Sequence, residues 1–326
     1  MRLLSPALIK ENDRVNGIVA YRPEGEVTIS ARKAVILATG GYGGNDRMRA
    51  ENFPLADKGW SLQPKANQGA GIALGQEAGG VFVQENFANG IWGPQSAYVA
   101  KDGAVVNFPH MIDRCRPGFI MVNTAGKRFV NESMSYQLMG NFMNEHDVDR
   151  AFLVGSRQVV RKYGLGMALP FPMPIGKYVR SGYLKYGRTI KELADELKVD
   201  ANTLETTVSA FDVQAATGVD PEFQRGENAY DRALGDRSHK PNPVLGPLGK
   251  GPYYAVEIRR GEFSTCNGLD TNSNAQVLDR SGVPIAGLYA VGIDANSWFR
   301  GAYPGGGASN GMGMTCAYIA ACHAAS

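Results

Sequence analysis

Two stretches of this chain carry glycines where they can do chemistry. The first, Thr39-Gly40-Gly41-Tyr42-Gly43-Gly44, follows the unbroken apolar run Ala34-Val35-Ile36-Leu37-Ala38. The second, Tyr303-Pro304-Gly305-Gly306-Gly307, comes after Gly287-Leu288-Tyr289-Ala290-Val291-Gly292 and leads into Gly311 and a run of small residues. A buried strand that ends in a glycine loop ahead of a helix gathers backbone N–H groups and the positive end of that helix around one spot. An anion is held there without a cationic side chain. Glycine suits such a loop because it lets backbone approach a ligand closely. Neither copy is a strict GxGxxG, since the second reads Gly305-x-Gly307-x-x-x-Gly311 and is one residue too long. One copy alone reads as an ordinary strand-to-helix turn. Two in one chain suggest a single domain with an insertion between them.

Other elements must position these loops. Val15–Arg22 and Val27–Arg32 flank the turn residues Pro23-Glu24-Gly25-Glu26, which predicts a hairpin. The Ala34–Ala38 run lacks alternation, as expected of a parallel strand buried on both faces. Residues 69–80 predict a short helix with small residues on its packing side. Thr189-Ile190-Lys191-Glu192 and Asn202-Thr203-Leu204-Glu205 are capping-box patterns, and the second helix should stop at Gly218. Leu169-Pro170-Phe171-Pro172-Met173-Pro174-Ile175 predicts an apolar loop, because its prolines remove donors and fix φ. A helix rich in small residues is expected from Gly311 onward.

Bulk properties narrow the function. The 326 residues fit roughly two domains of about 150 each. With 44% hydrophobic and 20% charged residues the composition is that of a soluble globular protein. The 34 basic and 31 acidic residues nearly balance and form no basic block, which gives no ground for a nucleic-acid partner. Cys115, Cys266, Cys316 and Cys322 form no CxxC pair and have no histidine at ligand spacing. That usage fits a reducing compartment, with neither a disulfide framework nor a metal site. His110, His146, His239 and His323 lack motif context and read as surface or polar-core residues. No apolar run approaches the ~18 residues of a membrane span. Met1-Arg2 opens no secretory core. A cytoplasmic protein is the expectation.

Several segments together identify a resemblance. Ile36-Leu-Ala-Thr-Gly-Gly-Tyr-Gly-Gly-Asn45, Gly126-Lys-Arg-Phe-Val-Asn-Glu-Ser133, Gly268-Leu-Asp-Thr-Asn272 with Gln276-Val-Leu-Asp279, and Gly287-Leu-Tyr-Ala-Val-Gly292 resemble stretches of the FAD-dependent fumarate reductase and 3-ketosteroid dehydrogenase flavoproteins. They occur in that family's order from about residue 15 onward. The resemblance implies an α/β fold: an incomplete Rossmann-like FAD-binding domain, residues 1–97 and 258–326, interrupted by an α+β cap (substrate) domain at 98–257. It implies an FAD site drawn from Ala38, Thr39, Gly40, Gly41, Gly292, Asp294, Gly305, Ala308, Ser309 and Asn310, with Asp294 reaching the ribitol chain.

The resemblance also implies a choice of reaction. The position of the fumarate reductases' proton-donating arginine holds Tyr136, as in the 3-ketosteroid dehydrogenases. Their carboxylate-binding histidine falls at Ser264, and their second substrate arginine at Tyr303. A dicarboxylate needs fixed cationic partners, so the implied substrate is a small apolar ketone, steroid-like or otherwise bulky. Tyr303 and the Gly307 N–H would then donate to the ketone oxygen, and Tyr136 would help remove the α-proton. The apolar loop at 169–175 would suit a bulky substrate as a lid. Arg128 sits in the shared motif and reads as structural. The alternatives are a fumarate reductase-like enzyme, or a non-catalytic remnant.

The family's strict GxGxxG, which grips the ADP part of FAD, occurs nowhere in residues 1–326. A further catalytic tyrosine of the family is missing with it. The expectation is that a preceding segment or a partner chain completes the FAD domain.

Overall fold

The computed structural model describes residues 7–54 and 60–326. The Met1-Arg2 stretch read above lies outside the described residues. The chain divides into two compact units: Met1–Ala56 with Gln63–Ile91 and Glu262–Ser326, and Asp57–Leu62 with Trp92–Gly261.

In the first unit, strands Ala7–Glu11, Arg14–Arg22 and Gly25–Ser30 form an antiparallel meander, so the predicted hairpin is present. A second sheet has the spatial order Gln276–Leu278, Pro284–Ala290, Val35–Leu37. Its last two strands are parallel, with Ile36 opposite Tyr289. The two glycine loops therefore leave neighbouring strands at the same end of one sheet. Val35 and Leu37 join the cluster of Val15, Leu74, Leu269 and Leu288. Ile36, on the opposite side of the pleat, is 39% exposed. The strand is thus covered on one face, not both: it is the outermost of its sheet among the described residues, and alternate side chains face opposite sides.

The Ala70–Glu77 helix does bury its small residues. A Cβ at Gly75 would stand 2.3 Å from Leu269 Cδ1, so only glycine allows this approach. The last helix runs Ala308–Ala325, three residues earlier than expected, because Gly311 N–H already closes a first turn on Gly307 O at 2.8 Å. It packs Met312, Cys316 and Ala320 on Tyr289 and Val291.

The second unit is built on a sheet whose path runs Val105–Pro109, Gly90–Val99, Tyr253–Thr265, Ala151–Ser156, Phe119–Asn123. Period two sorts its core. Phe119, Met121 and Leu153 pack with Met139 and Met143 of the Tyr136–Glu145 helix. Ile120, Val122, Phe152 and Val154 pack with Leu193, Leu204 and Phe211 of the Ile190–Leu197 and Ala201–Thr217 helices. Thr189 caps the first of these, accepting from Glu192 N–H at 3.1 Å. The second is capped by Asp200, not Asn202. Its carboxylate accepts from Thr203 N–H at 2.8 Å, and Asn202 already lies inside the first turn. Gly218, at φ 78°, ends that helix as expected. Residues 169–175 form no regular element, and Leu169, Phe171 and Met173 are exposed. Among the described residues no helix is long and apolar enough to cross a membrane.

Candidate functional site

The glycine ends of the two parallel strands open onto a cavity of about 550 Å³, within the range of small-molecule and cofactor sites. Ala38, Gly40, Gly292, Tyr303, Gly307, Ser309 and Asn310, all singled out by sequence, line it. So do Ser264 and, unforeseen, Gln63, Ile91, Phe263, Val291, Ile293, Gly313 and Met314. No charged side chain is among these lining residues. Every residue here belongs to the first unit.

Four of the lining residues are glycines, Gly40, Gly292, Gly307 and Gly313, which offer only backbone. A Cβ built at Gly292 or Gly307 would meet no protein atom within 4 Å, so these two lining glycines border open space. Gly292 and Gly307 take φ of 63° and 94°, which L side chains rarely adopt. Gly307 is the N-cap of the last helix and supplies no side-chain cap, leaving the first-turn N–H groups of Ser309 and Asn310 without a capping side chain. The buried Thr265 Oγ1 also has no hydrogen-bond partner. It lies 2.5 Å from where a Gly41 Cβ would stand. A cradle of glycine backbone with N–H donors and a helix N-terminus fits a flat, partly anionic ring system.

Thr39, Gly41 and Asp294 are not among the residues that line this cavity, and the Asp294 carboxylate is engaged by the protein itself. This fully buried carboxylate accepts from the Thr39 N–H, from Thr39 Oγ1 at 3.1 Å and from Gly41 N–H at 2.8 Å. Thr39 Oγ1 in turn accepts from Gly71 N–H at 2.9 Å. The acidic residue spends its lone pairs on the protein and fixes both loops. Gly305 and Ala308 also lie off the wall, joined by the Ala308 N–H to Gly305 O bond of 3.2 Å. Beside these loops Tyr42 donates to Asn267 Oδ1, and burial pushes its phenol far above the usual range.

Tyr136 belongs to the second unit, as the buried first residue of the Tyr136–Glu145 helix. The motif ahead of it anchors that helix start. Arg128 lies between the rings of Phe211 and Phe223 and holds both oxygens of Glu132 (3.0 and 2.9 Å) and of Asp220 (3.1 and 2.8 Å). Arg225 adds a 3.0 Å bond to Glu132. Burial alone would raise the Glu132 carboxyl, but Arg128 and Arg225 outweigh it and hold it below the usual range. Asn131 bonds Asp231 at 2.8 Å. Sequence reading missed a second buried network. His110 bridges Asp113 (2.7 Å) and Ser96 (2.7 Å), and Ser96 meets the Tyr183 hydroxyl at 2.6 Å. Only the short spacing of His110 and Asp113 hinted at it. Burial pushes the Tyr183 phenol up to about 12.

Comparisons with known proteins bear on this geometry. A family described as FAD binding domain matches residues 2–309. A "4-oxocyclohex-2-ene-1-carboxylate 5-dehydrogenase" of Sinomonas cyclohexanicum is 40% identical over 298 residues, covering 90% of this chain and 50% of that protein. A "3-oxosteroid 1-dehydrogenase" of Mycobacterium tuberculosis is 35% identical over 334 residues, covering 98% and 58%. The crystal structure of 3-ketosteroid delta1-dehydrogenase from Sterolibacterium denitrificans superposes with a TM-score of 0.89 at 34% identity, over 98% of this chain and 58% of that one. The chain spans about half the length of the curated relatives it matches. The glycine cradle and the family match lead to one cofactor, FAD, and the chain belongs to the FAD-binding domain family of flavoproteins.

Proposed function

We propose that this chain carries the reacting part of an FAD-dependent dehydrogenase that desaturates a cyclic ketone between its α and β carbons. One observation carries the reading: Tyr303 and Gly307 stand on the wall of the same cavity as the glycine cradle. The Gly307 N–H donates to no protein acceptor among the described residues. A phenol and a backbone N–H converging on a ketone oxygen stabilise the enolate as the α-proton leaves, which is the work of an oxyanion hole. Tyr136, which stands in the shared motif where the 3-ketosteroid dehydrogenases also have a tyrosine, is the residue proposed to help remove that proton. With a reference pKa near 10 a tyrosine is protonated at neutral pH, so it accepts a proton only as the phenolate, and the two donors at the ketone oxygen bring the α-proton's acidity toward that of the phenol. FAD, when bound, supplies the hydride acceptor at the neighbouring carbon.

The substrate class is a ring ketone, steroid-like or a smaller alicyclic one such as the 4-oxocyclohexene carboxylate in one relative's name. The uncharged lining supports a ring against this wall and speaks against a dicarboxylate held at Ser264 and Tyr303.

The test is anaerobic mixing of the complete flavoprotein with 3-ketosteroids and with 4-oxocyclohexanecarboxylate. Bleaching of the visible flavin band by either supports the reading. Reoxidation of the reduced protein by fumarate, with no bleaching by any ketone, overturns it, and a colourless complete protein identifies a non-catalytic remnant.

A further inference from the structure

The loop that delivers Tyr303 carries a cation, Arg300, with no carboxylate partner among the described residues. Arg300 is exposed. Its backbone is nevertheless fixed. The Arg300 N–H donates to Ser297 O at 3.0 Å, and its carbonyl accepts from Phe87 N–H at 2.8 Å. Its φ of 47° lies in the left-handed region, which costs a non-glycine residue about 1 kcal/mol or more. The next residue, Gly301, packs so tightly that a Cβ would stand 2.2 Å from the Ala88 backbone. Exposed aromatic rings belong to the same loop pair: Phe87 (71%), Trp298 (53%) and Phe299 (39%).

We propose that Arg300 binds a carboxylate on the substrate, so that the ketone this protein oxidises is a keto acid with one apolar ring between its two polar ends. The proposal rests on the ketone reading above and refines it. Arg300 and Tyr303 are three positions apart, so their Cα atoms lie at most about 10 Å from each other. The Phe299–Ala302 turn, closed by a 2.9 Å bond, draws them closer. A ketone oxygen held at Tyr303 and Gly307 thus leaves a carboxylate across a single ring within reach of the guanidinium. That planar fork matches a carboxylate with two parallel hydrogen bonds. A neutral four-ring substrate in the same place would cover the guanidinium with hydrocarbon and strip its water without replacing it. Trp298 and Phe299 beside it offer apolar surface to the ring.

The experiment uses the complete flavoprotein and two ketones, 4-oxocyclohexanecarboxylate and its methyl ester, which differ only in the charge. The readout is the ratio of kcat/KM for acid over ester. Arg300→Met is expected to lower that ratio about 10- to 100-fold, the cost of one charge-assisted contact, chiefly through KM for the acid. Arg300→Lys should lose less, since it keeps charge but not the fork. Arg300→Gly, which relieves the left-handed φ, should match the Met variant and keeps the test open if Met folds poorly. A ratio within twofold of the wild-type value in the Met and Gly variants, with both ketones still bleaching the flavin, overturns the proposal and leaves the ketone reading standing. Failure of every ketone to bleach the wild-type flavin overturns that reading and this one together.

Discussion

The carboxylate of Asp294 accepts the backbone N–H of Gly41 at 2.8 Å, across 253 positions of sequence. The same side chain takes the N–H and the hydroxyl of Thr39, and that hydroxyl accepts from Gly71. One buried acid therefore closes the loop after the Val35–Leu37 strand onto the loop after the Pro284–Ala290 strand, and draws in the helix at Ala70. The wall of the cavity inherits its shape from this tie.

Asp294→Asn tests it. An amide keeps one acceptor oxygen and turns its NH2 toward the other N–H, Thr39 or Gly41, leaving that donor without an acceptor. A loss of about 1–3 kcal/mol is expected from one such donor, read as a lower urea midpoint with unchanged slope. A shift below about 0.5 kcal/mol, the scale of an ordinary surface change, would show that the tie contributes little.

Tyr303→Phe removes one donor to the developing enolate. A loss of about 2.7–4 kcal/mol in transition-state stabilisation is expected, a drop of about 10²–10³ in turnover of the complete enzyme. Flavin content should not change. A tenfold loss or less would assign Tyr303 to packing.

Gly307→Ala places a methyl on the cavity wall, where no protein atom lies within 4 Å. Clashes with the fold are therefore not the issue. The φ of 94° costs about 1–2 kcal/mol of stability, while substrate and ring lose room. Turnover should fall by much more than the unfolding free energy implies. Wild-type turnover would remove the site from this turn.

Acid should unfold the second unit through its buried carboxylates. Glu132 and Asp220 are held below the usual range against burial by arginine partners, and Asp113 by His110 with the Gly166 and Arg114 N–H groups. A depressed folded pKa gives stability that is fully present above the unfolded value of about 4 and is lost as pH falls through the folded value. Stability measured from pH 7 downward should hold to about pH 5, then decline. Glu132→Gln should cost about 3–5 kcal/mol at pH 7, since Arg128 and Arg225 are left buried with less charge opposite them. Its stability should also depend less on acid. A pH profile identical to the wild type would disprove the assignment.

Thiol labelling gives an inexpensive check on the fold. Cys322 is exposed, while Cys115, Cys266 and Cys316 are buried, and burial pushes the Cys266 thiol up to about 12. Of this chain's four cysteines, Cys322 alone should react quickly under native conditions. Fast labelling of Cys266 would contradict the packing around Tyr42 and Asn267.

Local chemistry was legible in the sequence wherever its partners lie within a turn or two. Thr189 bonds three residues ahead, Gly218 ends its helix with its own φ, and the hairpin at residues 23–26 closes on itself. The two glycine loops were legible because glycine marks positive φ and close approach at the position where it stands. Even so, the neighbouring acid two residues away capped the helix in place of Asn202, since which residue is the cap depends on where the helix begins. The pairing of Asp294 with Thr39 and Gly41, the His110 chain to Ser96 and Tyr183, and the exposed face of Ile36 were decided by tertiary structure. A buried polar group must find a partner, but the sequence does not say which; the fold settles that by bringing the ends of two parallel strands together.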